Sequence, residues 1–106
     1  MAYNIVWEFQ VPRERVADFE AAYGPLGTWA RLFERADGLL AVELLHSTEQ
    51  EGRYLIVDSW VSQSAFEDFR TQFASDYEAW DKHLTGLATT ETRVGAFSNV
   101  EPPEGA

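Results

Sequence analysis

Gly38-Leu39-Leu40-Ala41-Val42-Glu43-Leu44-Leu45-His46, Ser47-Thr48-Glu49-Gln50-Glu51-Gly52 and Arg53-Tyr54-Leu55-Ile56-Val57-Asp58-Ser59-Trp60-Val61 decide the fold. Two apolar runs flank six polar residues, the pattern of a hairpin, so residues 39–46 and 53–61 are predicted to be antiparallel strands. Both are apolar on both faces. Leu40, Val42 and Leu44 alternate with Leu39, Ala41 and Leu45, and Leu55 and Val57 alternate with Tyr54, Ile56 and Trp60. Helices of the same chain can cover one face, whereas the other face of an antiparallel sheet ordinarily meets water. Two apolar faces call for a second cover, so the expectation is a homodimer.

Upstream, residues 3–11 alternate with period two, placing Tyr3, Ile5, Trp7, Phe9 and Val11 on one face of a half-buried strand. Pro12 suits a first helical position, and Val16, Phe19 and Tyr23 recur at helical steps until Gly24-Pro25 stops the helix. Trp29, Leu32 and Phe33, between Gly27 and Gly38, read as a short helical connector. Downstream, Ser64 with Glu67 reads as a capping box ahead of Phe66, Phe69 and Phe73. Ser75 with Glu78 repeats the pattern, with Tyr77, Trp80 and Leu84 continuing the stripe, so a break near Ser75 and a second helix to about Leu87 are expected. A last strand runs over 90–100. The order strand, helix, short helix, strand, strand, helices, strand is that of a ferredoxin-like split βαβ α+β fold, a four-stranded antiparallel sheet with helices on one face.

A chain of 106 residues suits one domain, placed at 1–101, with Pro102 to Ala106 as a loose tail. Residues 1–6 show no basic segment followed by a long apolar one, and no apolar stretch is long enough to span a bilayer, so the reading is cytoplasmic with no membrane partner. Net charge is −10, from 18 acidic and 8 basic residues, and Lys82 is the single lysine. Without a basic surface to neutralise phosphates, nucleic acid is not an expected partner. Cysteine is absent, which removes disulfides, thiolate ligands and thiol nucleophiles.

The run from Gly38 to Leu45, followed by Arg53-Tyr54-Leu55-Ile56-Val57-Asp58-Ser59-Trp60-Val61-Ser62-Gln63-Ser64-Ala65-Phe66, resembles the antibiotic biosynthesis monooxygenase family of dimeric α/β barrels. In that family a Gly-led strand, a loop and a strand ending in Trp precede a helix. The resemblance extends from Tyr3 to Phe97 and takes in Tyr23-Gly24-Pro25-Leu26-Gly27-Thr28-Trp29, Tyr77-Glu78-Ala79-Trp80-Asp81, Leu84-Thr85, Glu91 and Gly95-Ala96-Phe97. It implies two sheets packed face to face across a dimer, with a pocket in each subunit between sheet and helices. It also implies several activities, from cofactor-free oxygenation of anthrones and quinols to haem degradation. Fold alone does not choose among them.

Cofactor-free oxygenation needs an electron-rich phenol or enol, a base for its proton and a dry pocket. Trp7, Trp29, Tyr54, Trp60, Phe69 and Trp80 could wall such a pocket, and Asp58, Glu43 or His83 could act as the base or its orienter; Asp58 and His83 are the preferred catalytic pair. Large aromatics also simply fill cores. Asp58 shares a strand face with Ile56 and Trp60, so it needs either a partner, for which Arg31, Arg70 and Arg93 are available, or a shifted pKa. Asp81 carries the same two readings.

His46 and His83 are the only histidines and cannot form a histidine metal cluster in one subunit. Haem-degrading relatives pair a helix histidine with a strand asparagine and a tryptophan, and here Trp7 or Glu8 and Phe69 hold the latter two positions. Haem is therefore disfavoured. Glycine-rich phosphate loops are absent, so nucleotide, flavin or nicotinamide binding has no motif behind it, and no Gly-x-Ser-x-Gly marks a hydrolase; the resemblance implies a reaction without a bound cofactor. The function expected is binding of a planar aromatic or quinol-type molecule, with cofactor-independent monooxygenation set beside a non-catalytic dimeric ligand-binding or stress-related module.

Overall fold

The computed structural model describes residues 2–24, 27–34, 36–84 and 86–100, without the side chains of Thr28, Trp29, Leu32, Trp80, His83 and Leu84. The elements are β1 (Tyr3–Gln10), a 3-10 turn (Arg13–Arg15), α1 (Val16–Tyr23), α2 (Thr28–Phe33), β2 (Leu39–His46), β3 (Arg53–Trp60), α3 (Gln63–Gln72), α4 (Ala74–Leu84) and β4 (Thr90–Ser98). They form a four-stranded sheet in the order β2-β3-β1-β4, with each neighbouring pair antiparallel. This is the expected ferredoxin-like arrangement. The expected tail lies outside the described residues, and among those described no helix is long and apolar enough to cross a membrane.

Strand β3 shows the period-two alternation most clearly. Tyr54, Ile56, Asp58 and Trp60 are buried toward the helices, while Arg53, Leu55, Val57 and Ser59 are only half-buried. Ile5 and Phe9 of β1 join the inner face, followed by Val11 just beyond the strand. The inner core forms two aromatic clusters. One gathers Ile5, Ala22, Phe33, Trp60 and Phe69, and the other Phe9, Val11, Phe19, Tyr54 and Ile56. Trp7, Tyr23 and Leu87 pack against both. Ring centroids stand 4.6 Å apart for the stacked pair Phe19–Tyr23, and 4.9 Å and 5.3 Å for the tilted pairs Phe19–Tyr54 and Trp60–Phe69, spacings at which aromatic pairs add about 0.5–1.5 kcal/mol each beyond their burial.

The outer face is also apolar, as the hairpin reading requires. Cross-strand pairing aligns Leu45 with Leu55, Glu43 with Val57, Val57 with Val6, and Asn4 with Phe97. Leu45 and Phe97 are 44% and 49% exposed, so this face has no full cover among the described residues. One detail of β2 differs from simple alternation. The register with β3 shifts between Leu39 and Ala41, which turns Leu39 onto the inner cluster around Trp60 and leaves Leu40 exposed.

Both helix boundaries around α3 and α4 also differ from the capping-box reading. Ser62, not Ser64, caps α3: its backbone is extended and its Oγ accepts from the Ala65 N–H at 3.1 Å. The break between the helices falls at Phe73 rather than Ser75, because the Phe73 N–H still bonds to the Phe69 carbonyl while Phe73 itself leaves helical geometry. Helix α4 ends at Leu84, and Gly86, at φ +96°, turns the chain so that Leu87 enters the core. Arg15 Nη1 donates to the Gly86 carbonyl, and the Thr89 N–H donates to the Gln10 carbonyl at 2.7 Å, fixing this turn beside β1.

Ser62→Ala is expected to lower stability by about 1 kcal/mol in urea denaturation, and Ser64→Ala by less than about 0.5 kcal/mol. Equal losses would return the cap to Ser64.

Candidate active site

Between the inner sheet face and the helices lies a cavity of about 200 Å³. Strands supply Trp7, Phe9, Val42, Leu44, Ile56, Asp58 and Glu91, and helices supply Tyr23, Ala30, Phe33, Tyr77 and Asp81. Because Phe33 belongs to one core cluster, Phe9 and Ile56 to the other, and Trp7 and Tyr23 to both, the cavity opens at the seam between them.

Asp58 is the only charged-type side chain buried among the described residues, at 5% exposure, and Ile5 and Val42 flank it on the neighbouring strands. Its Oδ1 has no hydrogen-bond partner. None of the proposed arginine partners reaches it: Arg70 lies over the rings of Tyr77 and Phe66, at 4.3 and 5.7 Å, and Arg31 and Arg93 are exposed. Burial without compensation disfavours the charged form and pushes the Asp58 carboxyl up to about 7. Burial also pushes the Tyr77 hydroxyl up to about 12, with Asp58, Asp81 and Glu91 adding to that rise and Arg70 opposing it. Glu91 is raised by partial burial and then by the charge of Asp81.

Of the residues expected from sequence, Trp7 and Asp58 line the cavity. Tyr54, Trp60 and Phe69 do not; they are 1%, 0% and 3% exposed and fill the two core clusters, since large rings on the inner face are consumed by packing. Tyr54 additionally donates its hydroxyl to Glu20 Oε2 and stacks on His46 at 4.6 Å, away from Asp58. Glu43 is exposed and paired with Val57 on the outer face, so it cannot serve as the base. His83 lies on α4, and its side chain, like those of Trp29 and Trp80, is outside the described residues. Phe9, Tyr23, Phe33 and Tyr77 were legible only as apolar stripe positions, and Glu91 had no local signal at all.

The model of the antibiotic biosynthesis monooxygenase family matches residues 2–88. The chain belongs to that family. Among solved structures, an antibiotic biosynthesis monooxygenase family protein from Bordetella bronchiseptica is 28% identical, with TM-score 0.76 over 94% of this chain and 98% of the other. SnoaB, a cofactor-independent oxygenase from Streptomyces nogalater, shares the fold at 21% identity, with TM-score 0.78 over 97% of each chain. A variant of MhuD with two manganese protoporphyrin IX molecules bound per active site shares it at 22% identity, with TM-score 0.73 over 96% and 97%. No curated protein matches the sequence. Beyond the residues that match the antibiotic biosynthesis monooxygenase family model lies the fourth strand, which brings Glu91 to the cavity.

The buried carboxyl has a consequence for stability. The folded chain holds the Asp58 proton up to about pH 7, whereas the unfolded chain releases it near 3.8, so stability present below that lower value is lost as pH rises between the two. Relative to Asp58→Asn, the wild type is expected to lose roughly 4 kcal/mol across this window and nothing further above it, measured by urea denaturation at stepped pH. A constant difference between the two proteins would contradict the burial of an uncompensated acid.

Proposed function

We propose that this member of the family binds a small planar phenol or hydroquinone in the cavity and oxygenates it with molecular oxygen and no bound cofactor, using Asp58 as the base. The observation that carries the reading is the partnerless Asp58 carboxyl in an aromatic cavity, poised near neutrality where a general base works best. In the reaction Asp58 takes the proton of an enolic or phenolic hydroxyl. The anion passes one electron to oxygen, and the radical pair closes a carbon–oxygen bond. Asp58 returns its proton to the peroxide anion so formed, and the hydroperoxide then loses water to leave a carbonyl, so one oxygen atom enters the product, the other leaves as water with two substrate hydrogens, and no outside reductant is consumed. The cavity's part is to hold the ring against oxygen and keep the anion from water.

A non-catalytic binding module would fill the cavity with side chains and pair Asp58 elsewhere; the open volume and bare Oδ1 weigh against it. A tetrapyrrole is large for about 200 Å³, and Phe69 is buried in the core, so haem is the weaker reading. The working unit is a homodimer. Its support is the uncovered outer face, where Val6, Leu45, Leu55, Val57 and Phe97 align across the sheet.

Chelator-treated protein is expected to consume oxygen with anthrones or dihydroxynaphthalenes above the protein-free rate. Asp58→Asn should lower kcat/KM by about a hundredfold or more, and the wild-type kcat/KM should rise with pH until about 7. Equal turnover by the variant would remove Asp58 from the reaction. Light scattering should give twice the 12.0 kDa chain mass, and Val57→Asp, which places a charge at the centre of the outer face, should give the single-chain mass with helix content retained. A wild-type monomer would contradict the assembly.

A further inference from the structure

Cross-strand register gives the floor of the cavity a direction. Its first row is Val42 beside Asp58, which pair across β2 and β3. Ile5, the β1 partner of Asp58, is not in the lining; it is 1% exposed and sits in the core cluster with Ala22 and Trp60. The second row is Leu44, Ile56 and Trp7, again aligned by pairing. The third is Phe9 with Glu91, while Tyr54, the β3 partner of Phe9, is buried outside the lining. The floor is therefore a diagonal slot that begins at Val42 on one edge strand and ends at Glu91 on the other. Asp58, with its buried and partnerless Oδ1, stands at the start of this slot between two unlike neighbours. Ile5 closes the β1 side. Val42, with its Cβ about 5 Å away by ordinary cross-strand geometry, lines the cavity and is also 36% exposed, so the slot meets solvent on the β2 side.

We propose that Val42 is a specificity-determining residue of this cavity, which takes phenols or hydroquinones with an apolar group on one, and only one, of the two ring positions next to the reacting hydroxyl. This rests on the phenol-binding reading above and narrows its substrate class. A ring docked through its hydroxyl on Asp58 extends along the slot, over Ile56 toward Trp7 and Phe9. Its two flanking positions then face opposite strands. A group on the β2 side lies against Val42, where it withdraws apolar surface from water and has an open mouth to grow into. A group on the β1 side meets Ile5, in a packed core that admits extra atoms only by displacing side chains. A group opposite the hydroxyl lies further along the slot and does not reach Val42.

The test uses phenol, 2-isopropylphenol, 4-isopropylphenol and 2,6-diisopropylphenol, which differ in where the apolar group stands. Their dissociation constants for the full chain are measured by ligand-observed NMR titration at pH 8. The 2-isomer is expected to bind about fivefold more tightly than phenol, and the 2,6-compound at least about tenfold more weakly than the 2-isomer although it is the more apolar. In Val42→Ala, a change at an exposed edge-strand position, the 2-isomer should lose about fivefold while phenol and the 4-isomer stay within about twofold. In Asp58→Asn all should weaken, because the hydroxyl end is common to them. Binding of the 2,6-compound as tightly as the 2-isomer, or a Val42→Ala loss that the 2- and 4-isomers share or that neither shows, overturns the inference and leaves the phenol reading in place. Failure of phenol and both single-substituted isomers to bind overturns both.

Discussion

A carboxyl group with no partner, set into the inner face of a central strand, is the constraint around which the rest of the site is organised. Asp58 falls on the same pleat as Tyr54, Ile56 and Trp60, so the alternation that builds the core also carries the acid out of water. Moving it to the outer face would require a one-residue slip that turns every ring of β3 outward as well. The chain therefore keeps the acid and adjusts its proton. The same low-polarity surroundings that raise Asp58 also raise Tyr77, and the carboxylates of Asp81 and Glu91 add to the Tyr77 shift. The cavity walls and the acid–base chemistry thus have one physical origin, the withdrawal of polar groups from water at the seam of two aromatic clusters.

The outer face places a different demand on the same sheet. Leu55 and Val57 point away from the helices and are only half-buried, and Leu45 and Phe97 beside them are exposed. Two layers of a single chain leave this surface wet, at a cost of roughly 25 cal/mol for each Å² of apolar area. A second copy, in the proposed dimer, would cover it without touching the cavity, because the two faces of a strand are independent in what they contact. Assembly and chemistry are consequently separable: a charge on the outer face should change the mass while leaving the inner face packed.

Much of this was legible in the sequence because it rests on periodicity. The double alternation of 39–46 and 53–61 implied a hairpin with two apolar faces, and the stripe Val16, Phe19, Tyr23 implied the first covering helix; both are present. Asp58 could be singled out because it breaks an apolar face. What periodicity cannot distinguish is a ring that lines space from a ring that fills it. Trp7 and Trp60 occupy equivalent inner positions on adjacent strands, yet Trp60 is wholly enclosed by Phe33, Phe66 and Phe69, whereas Trp7 borders the cavity. That difference depends on how the helices cross the sheet. Glu91 was hidden for a related reason: it lies on an edge strand distant in sequence, and only the pairing of β4 with β1 brings it to the cavity. Local competition between hydroxyls misled the cap, since Ser62 precedes α3, Ser64 lies in its first turn, and only the geometry of Ser62 reaches an orphan N–H.

The chemistry of the site depends on Asp58 being protonated until near neutrality inside the folded protein. The most direct measurement is the carboxyl carbon shift of Asp58, followed by NMR on protein labelled at aspartate and assigned with Asp58→Asn. The expected midpoint is near 7, because burial without a partner disfavours the charged carboxylate. A midpoint near 4, the ordinary value for aspartate, would mean that the carboxyl finds water or a cation in the folded protein, and the site as described would not exist.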